Sequence, residues 1–172
     1  DDVAAIAELT SVAELQPVVS LPQRRVRFYE ALSRLRTEDG TLIMPSQYIR
    51  IAEPAGLMSA VDNVLLFRCI QVLRSWSQRS KDIAVFCNLS HETLQDEDFF
   101  TQFVEFMQQH RELSSMLIFE IAQSTFAKCG AVEDANLSSL ADLGFTFSMD
   151  KVTTLDIDFA LARQRQVRHF KV

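Results

Sequence analysis

Glycine and proline are both scarce, at 4 residues each in 172. Few loops can therefore rely on positive φ, and the chain has no low-complexity tract, internal repeat or linker. No apolar run approaches the ~20 residues needed to span a bilayer, and no signal peptide is visible. Basic residues are outnumbered 17 to 23, for a net charge of −6. This argues against a general nucleic-acid-binding surface, though not against a local basic pocket. Cysteine is limited to Cys69, Cys87 and Cys129, an odd and widely spaced set. Cys69 falls in a helical pattern and Cys87 in a strand, so buried reduced thiols and a cytoplasmic setting are expected rather than a disulfide framework. His91, His110 and His169 form no ligand-spaced cluster and are not read as metal ligands.

What remains is an ordinary globular composition, 48% hydrophobic and 23% charged, long enough for one domain with a real core. Within it, four acidic or amide residues stand at or near the ends of four apolar, strand-like runs. They are Glu30 in VRFYEALSRL, Asn88 in IAVFCNLS, Glu120 in MLIFEIAQS and Asp150 in FTFSMDKV. Residues two apart in a strand share a face. Phe28, Glu30, Leu32 and Arg34 therefore line one side of their run, as do Ala84, Phe86 and Asn88, then Met116, Ile118 and Glu120, then Thr146, Ser148 and Asp150. Oxygen ligands at successive strand ends of an α/β barrel can converge on a divalent cation. Taken singly, each also fits a solvated loop residue or a cap: Asp150 beside Lys151, Asn88 in a turn with Ser90.

The periodicity predicts a helix over the opening Asp1-to-Glu14 stretch, on the spacing of Val3, Ile6 and Leu9. A strand at Leu15–Leu21 and another at Val26–Leu35 are too closely joined for a crossover helix and predict a hairpin. Helical sequence runs from Pro45 to Trp76, punctuated by Pro54 and Gly56, with Leu57, Val61, Val64, Leu65, Ile70 and Leu73 as its apolar stripe. Strand and helix then alternate: Ile83–Leu89 with a helix over Asp98–His110 (core face Phe99, Phe103, Phe106 and Met107), and Met116–Ala122 with a helix over Val132–Leu143. Phe145–Val152 with a helix over Leu155–Arg165 follows, then a strand at Val167–Val172. Alternation of this kind predicts an α/β fold of parallel βαβ units, six strands in all. A complete barrel usually needs about 200–250 residues, so a single domain over 1–172 lacking its last strands and helices is expected, with further segments upstream of Asp1.

The ordered set resembles the EAL domain, a bacterial family that hydrolyses or senses the second messenger cyclic di-GMP. Leu15-Gln16-Pro17-Val18-Val19 is similar to the family's opening strand, and Glu30-Ala31-Leu32-Ser33-Arg34 to its naming motif. Pro45-Ser46-Gln47-Tyr48-Ile49 and Ala52-Glu53-Pro54-Ala55-Gly56-Leu57 are similar to its first helical segment. Asn88-Leu89-Ser90, Glu120-Ile121 and Phe170-Lys171-Val172 keep its later signatures in order. The resemblance implies a modified TIM-type barrel with an antiparallel first strand. It implies that Glu30, Asn88, Glu120 and Asp150 bind magnesium or manganese, that Gln16, Leu32 and Arg34 touch the dinucleotide, and that Lys171 helps position the attacking water in active members.

Departures from the family pattern shape the functional expectation. Lys151 stands where active members carry a second aspartate, so one ion is expected rather than two. The following loop, Val152-Thr153-Thr154-Leu155, lacks glycine, and Ala122-Gln123 replaces a Thr-Glu pair whose carboxylate supports that loop. The family's downstream catalytic glutamate would fall beyond Val172. The expectation is a degenerate domain acting as a cyclic di-GMP receptor, with a protein partner or a further domain of the same chain reading its occupancy. A slow metal-dependent phosphodiesterase and a nucleotide-independent interaction scaffold are the alternatives.

Overall fold

A tight turn at residues 21–24 joins two long strands, β1 (Thr10–Ser20) and β2 (Arg25–Arg36), into the expected antiparallel hairpin. The computed structural model describes residues 10–78 and 82–172. The helix expected over the opening stretch lies, for residues 1–9, outside the described residues. Thr10–Glu14 is not helical but strand, because β2 is long enough to pair with it as far as Thr10↔Arg36. A further strand, β3 (Leu42–Ile43), pairs antiparallel with the end of β2. At two residues it is too short to leave a periodic signal, and it raises the strand count from the expected six to seven among the described residues.

Helices α1 (Pro45–Ala52) and α2 (Met58–Ser77) are separated where Pro54 and Gly56 predicted, with Gly56 at φ 68. The buried stripe of α2 is Val61, Leu65, Leu66, Cys69, Ile70 and Leu73, whereas Val64 is 42% exposed. After β4 (Ala84–Asn88) come α3 (His91–Gln95) and α4 (Glu97–Gln108), divided by Asp96, whose carboxylate accepts from the Phe99 amide and caps α4. The α4 core face is Phe100, Phe103 and Met107, and Phe99 and Phe106 are only partly buried.

The pattern continues with β5 (Leu117–Ala122), α5 (Gln123–Phe126), α6 (Ala131–Asp142) and β6 (Thr146–Asp150). The last pair is α7 (Phe159–Gln164) and β7 (Val167–Phe170). Helix α7 starts later than the expected Leu155 because the Asp158 carboxylate caps it, accepting from the Leu161 amide at 2.9 Å.

The sheet order is β1-β2-β4-β5-β6-β7, with every pair after the hairpin path parallel and β3 appended to β2. This is a mixed α/β fold in which the strands form part of a TIM-type barrel. One face of the sheet carries Ala31, Val85, Cys87, Leu117, Phe119, Ile121, Phe147 and Met149 into the main apolar core beneath α2, α4 and α6. Phe28, Ala84, Phe86 and Ile118 form a smaller cluster on the opposite face. Strand alternation thus separates a helix-covered face from a face that leads to the polar rim. Cys69 and Cys87 are buried free thiols, and no described helix is long and apolar enough to cross a membrane.

Candidate functional site

Strand register carries the four polar residues to one rim. Glu30 lies level with Phe86, and Asn88 with Glu120. Glu120 lies level with Ser148, and Asp150 one pleat further, opposite Ala122. All share the face of Phe28, Phe86 and Ile118, as parity requires. Beyond β7, the Lys171 amide donates to the Met149 carbonyl at 2.8 Å, which brings its side chain to the same rim.

Lys171 is the residue that joins these strands. Its Nζ donates to Glu30 Oε2 at 2.8 Å and lies 2.9 and 3.0 Å from the two oxygens of Glu120. Glu120 is fully buried, and the Ser148 hydroxyl donates to its Oε1 at 3.3 Å. Beneath the ammonium lies the Phe86 ring, 5.3 Å from Nζ, in edge contact with His169. Burial pushes the Glu120 carboxyl above its ordinary value, against the hydrogen bond and charge of Lys171. Burial also pulls on Lys171, but its bonds to Glu30 and Glu120 outweigh that and hold the ammonium above its usual value. Burial lowers His169, so this ring adds no charge near neutrality.

The donor set is chemically suited to a hard divalent cation, since carboxylate and amide oxygens are its usual ligands. The geometry adds a condition. Among the described residues no three His, Cys, Asp or Glu side chains converge to hold an ion. Glu30 and Glu120 instead close on the Lys171 ammonium, while Asn88 and Asp150 stand half-buried at the same rim. An ion taken up here must share or displace that ammonium.

On the hairpin, Gln16 is level with Glu30, and Leu32 and Arg34 continue along the face of Glu30. Gln16 is exposed and Leu32 half-buried. Arg34 is only 8% exposed; its Nη1 donates to the Ser33 carbonyl at 3.0 Å and its Nε lies 3.0 Å from Glu14 Oε2. Sequence reasoning missed Glu14 because it placed that residue in a helix. As a strand residue two positions before Gln16, it shares Gln16's face.

The loop after β6 corrects a second expectation. Replacing the family's glutamate by Gln123 does not remove the support of this loop. Gln123 Oε1 accepts from the amides of Thr153 and Thr154 at 2.9 and 3.3 Å, and its Nε2 donates to the Thr154 carbonyl at 2.9 Å. An amide supplies the carboxylate's acceptor and adds a donor. Nor does the missing glycine prevent a left-handed turn, which Lys151 makes itself at φ 51. Lys151 is exposed and takes no part in the Lys171 ion pairs, and no ion pair joins it to Asp150.

Asp62, on α2, also escaped the sequence reading. Its Oδ2 accepts from the Ser90 amide and the Thr93 hydroxyl, both at 2.7 Å, and so fixes the turn that follows Asn88. Burial pushes its carboxyl up to about 6, against those hydrogen bonds. A buried aspartate within an apolar helical stripe was the available signal.

The sequence profile described as EAL domain matches residues 4–172, and the chain belongs to the EAL domain family. It is 25% identical to signaling protein YkoW of Bacillus subtilis, over 94% of this chain and 20% of that protein. It is 24% identical to the cyclic di-GMP phosphodiesterase PA2567 of Pseudomonas aeruginosa, over 81% of this chain and 24% of that protein. The chain thus spans about a quarter or less of the length of these curated relatives. Among solved structures, the PaMucR phosphodiesterase in complex with c-di-GMP superposes with a TM-score of 0.78 at 25% identity, over 94% of this chain and 66% of that one. The FimX EAL domain of Pseudomonas aeruginosa, bound to c-di-GMP, gives 0.81 at 23% identity over 100% and 71%, a likeness of fold.

Proposed function

We propose that this EAL domain is a cyclic di-GMP receptor, binding the dinucleotide along the rim that runs from Gln16, Leu32 and Arg34 to Glu30 and Lys171. The PaMucR complex supports the ligand class by family likeness. A planar, permanently charged guanidinium such as that of Arg34 suits a phosphodiester. The observation that carries the receptor reading is Lys151, exposed beside Asp150 where active members of the family carry a second aspartate. Lys171, held between Glu30 and Glu120, belongs to both readings.

Magnesium or manganese, if taken up, would be held by Glu30, Asn88, Glu120 and Asp150. When bound it would supply positive charge against the phosphodiester. Two-metal hydrolysis uses ions about 3.5–4 Å apart, and this rim offers oxygens for one. A protein partner or a further domain of the same chain would read the occupancy, in a cytoplasmic setting. A slow metal-dependent phosphodiesterase is the second reading, favoured by the loop that Gln123 keeps anchored.

Calorimetry with cyclic di-GMP, with and without magnesium, combined with chromatography of the products, tests the proposal. Binding in both conditions with negligible turnover is expected. Robust metal-dependent hydrolysis that Glu30→Ala abolishes would establish the phosphodiesterase instead. Absence of binding would leave an interaction scaffold.

A further inference from the structure

We infer that Glu14 is an affinity-determining residue of this rim, an internal carboxylate that competes with the ligand phosphate for Arg34. The inference rests on the cyclic di-GMP reading and adds to it a residue that weakens the site. A guanidinium as buried as that of Arg34, at 8% exposure, needs a counter-charge or acceptors. Among the described residues its partners are the Ser33 carbonyl behind it and Glu14 across the hairpin. The ion pair is lopsided: the Arg34 side chain is 9% exposed and that of Glu14 is 60% exposed.

Register explains the contact. Glu14 pairs with Leu32 and Val12 with Arg34, so Glu14 reaches Arg34 along the diagonal of the hairpin. Gln16 stands two residues along β1, on the same face, level with Glu30. Glu14 therefore sits within the row of residues assigned to the dinucleotide. A carboxylate and a phosphodiester present the same kind of acceptor to a guanidinium. Only one can take Nε at bonding distance, and the two repel each other if both remain.

Which anion prevails depends on the cost of moving Glu14, and that cost is small. Its side chain already faces solvent, so leaving Arg34 gains hydration and rotamer freedom. Glu14 thus keeps the buried charge compensated when the site is empty and yields to a sufficiently strong anion. It raises the concentration at which the domain responds without preventing the response.

The test is Glu14→Gln, which keeps size and acceptor but removes the charge. Cyclic di-GMP is expected to bind Glu14→Gln about two- to fivefold more tightly than wild type at low salt, and the gain should shrink as salt is raised. Glu14→Ala should show the same direction, and Arg34→Ala should cancel the gain. Equal affinities of wild type, Glu14→Gln and Glu14→Ala would overturn the inference. Inorganic pyrophosphate, followed by its shift of the melting midpoint, separates this claim from the nucleotide reading. If no form binds cyclic di-GMP, the nucleotide reading fails. A pyrophosphate shift larger in Glu14→Gln and lost in Arg34→Ala would still uphold Glu14, and equal shifts would overturn it.

Discussion

Replacing Lys171 with methionine keeps an apolar stem over the Phe86 ring and deletes the ammonium that joins Glu30 to Glu120. Glu120 is fully buried, so among the described residues its charge would keep the Ser148 hydroxyl alone as a donor. Removing one partner of a buried ion pair typically costs about 3–5 kcal/mol, because the other charge is left uncompensated. Here the Lys171 and Glu30 side chains are 29% and 22% exposed, so water takes over part of the solvation. The expected loss is then about 2–3 kcal/mol, or a fall of about 4–12 °C in melting midpoint for a chain of this size.

The assay is urea denaturation of wild type, Lys171→Met, Glu120→Gln and the double variant at neutral pH. If the loss comes from an uncompensated Glu120 charge, Lys171→Met should cost about 1 kcal/mol or less once position 120 is neutral, giving a coupling of about 1–2 kcal/mol. Equal costs in both backgrounds would refute the reasoning and reduce Lys171 to ordinary packing. Added magnesium should stabilise Lys171→Met more than wild type, because the oxygens no longer have an internal counter-charge.

Asp62→Asn should gain stability relative to wild type as pH rises. Burial raises the Asp62 carboxyl from 3.8 to about 6, so its stabilising contribution is present below about pH 4 and lost as pH rises through about 6. The difference amounts to roughly 3 kcal/mol, and parallel denaturation profiles at pH 4 and pH 7 would contradict it. Gln123→Ala should loosen the loop after β6, seen as faster hydrogen exchange at the Thr153 and Thr154 amides, at about 1–2 kcal/mol of local stability; unchanged exchange would show that the loop is held otherwise. Arg34→Ala should weaken cyclic di-GMP binding by about ten- to a hundredfold, whereas Lys151→Ala should leave it unchanged; the opposite ranking in calorimetry would move the phosphate contact to Lys151. On the receptor reading wild type should turn cyclic di-GMP over negligibly and Lys151→Asp should recover part of the activity; silence in both would show that Lys151 is not what blocks catalysis.

Most of the architecture was legible because it depends on local alternation. Period-2 runs located β2, β4, β5 and β6 to within two residues, and parity alone assigned Glu30, Asn88, Glu120 and Asp150 to one face. Helix starts were less legible where a single carboxylate decides them. Asp96 and Asp158 cap α4 and α7 through one hydrogen bond each. Strand β1 was partly misread because Val3, Ile6 and Leu9 favour a helix by spacing, while the state of Thr10–Glu14 is set by pairing with a strand farther along the chain.

Which residues share the rim was legible, and how their charges settle against one another was not. Parity places a side chain on a face, but it cannot say which charge will settle against which. Lys171 and Glu30 are 141 residues apart in sequence and meet only because the sheet curls β2 and β7 toward a common rim. Glu14 reaches Arg34 only through the hairpin register, and Gln123 reaches Thr153 and Thr154 only once the loop after β6 folds back on it. Each of these contacts changes the meaning of a motif residue without altering the motif. In the proposed site, a phosphate would meet Arg34 with Glu14 already paired to it, and a cation would meet Glu30 and Glu120 with the Lys171 ammonium already between them. A change at Glu14 or Lys171 would therefore shift the response of this domain while every residue of its naming motif stayed the same.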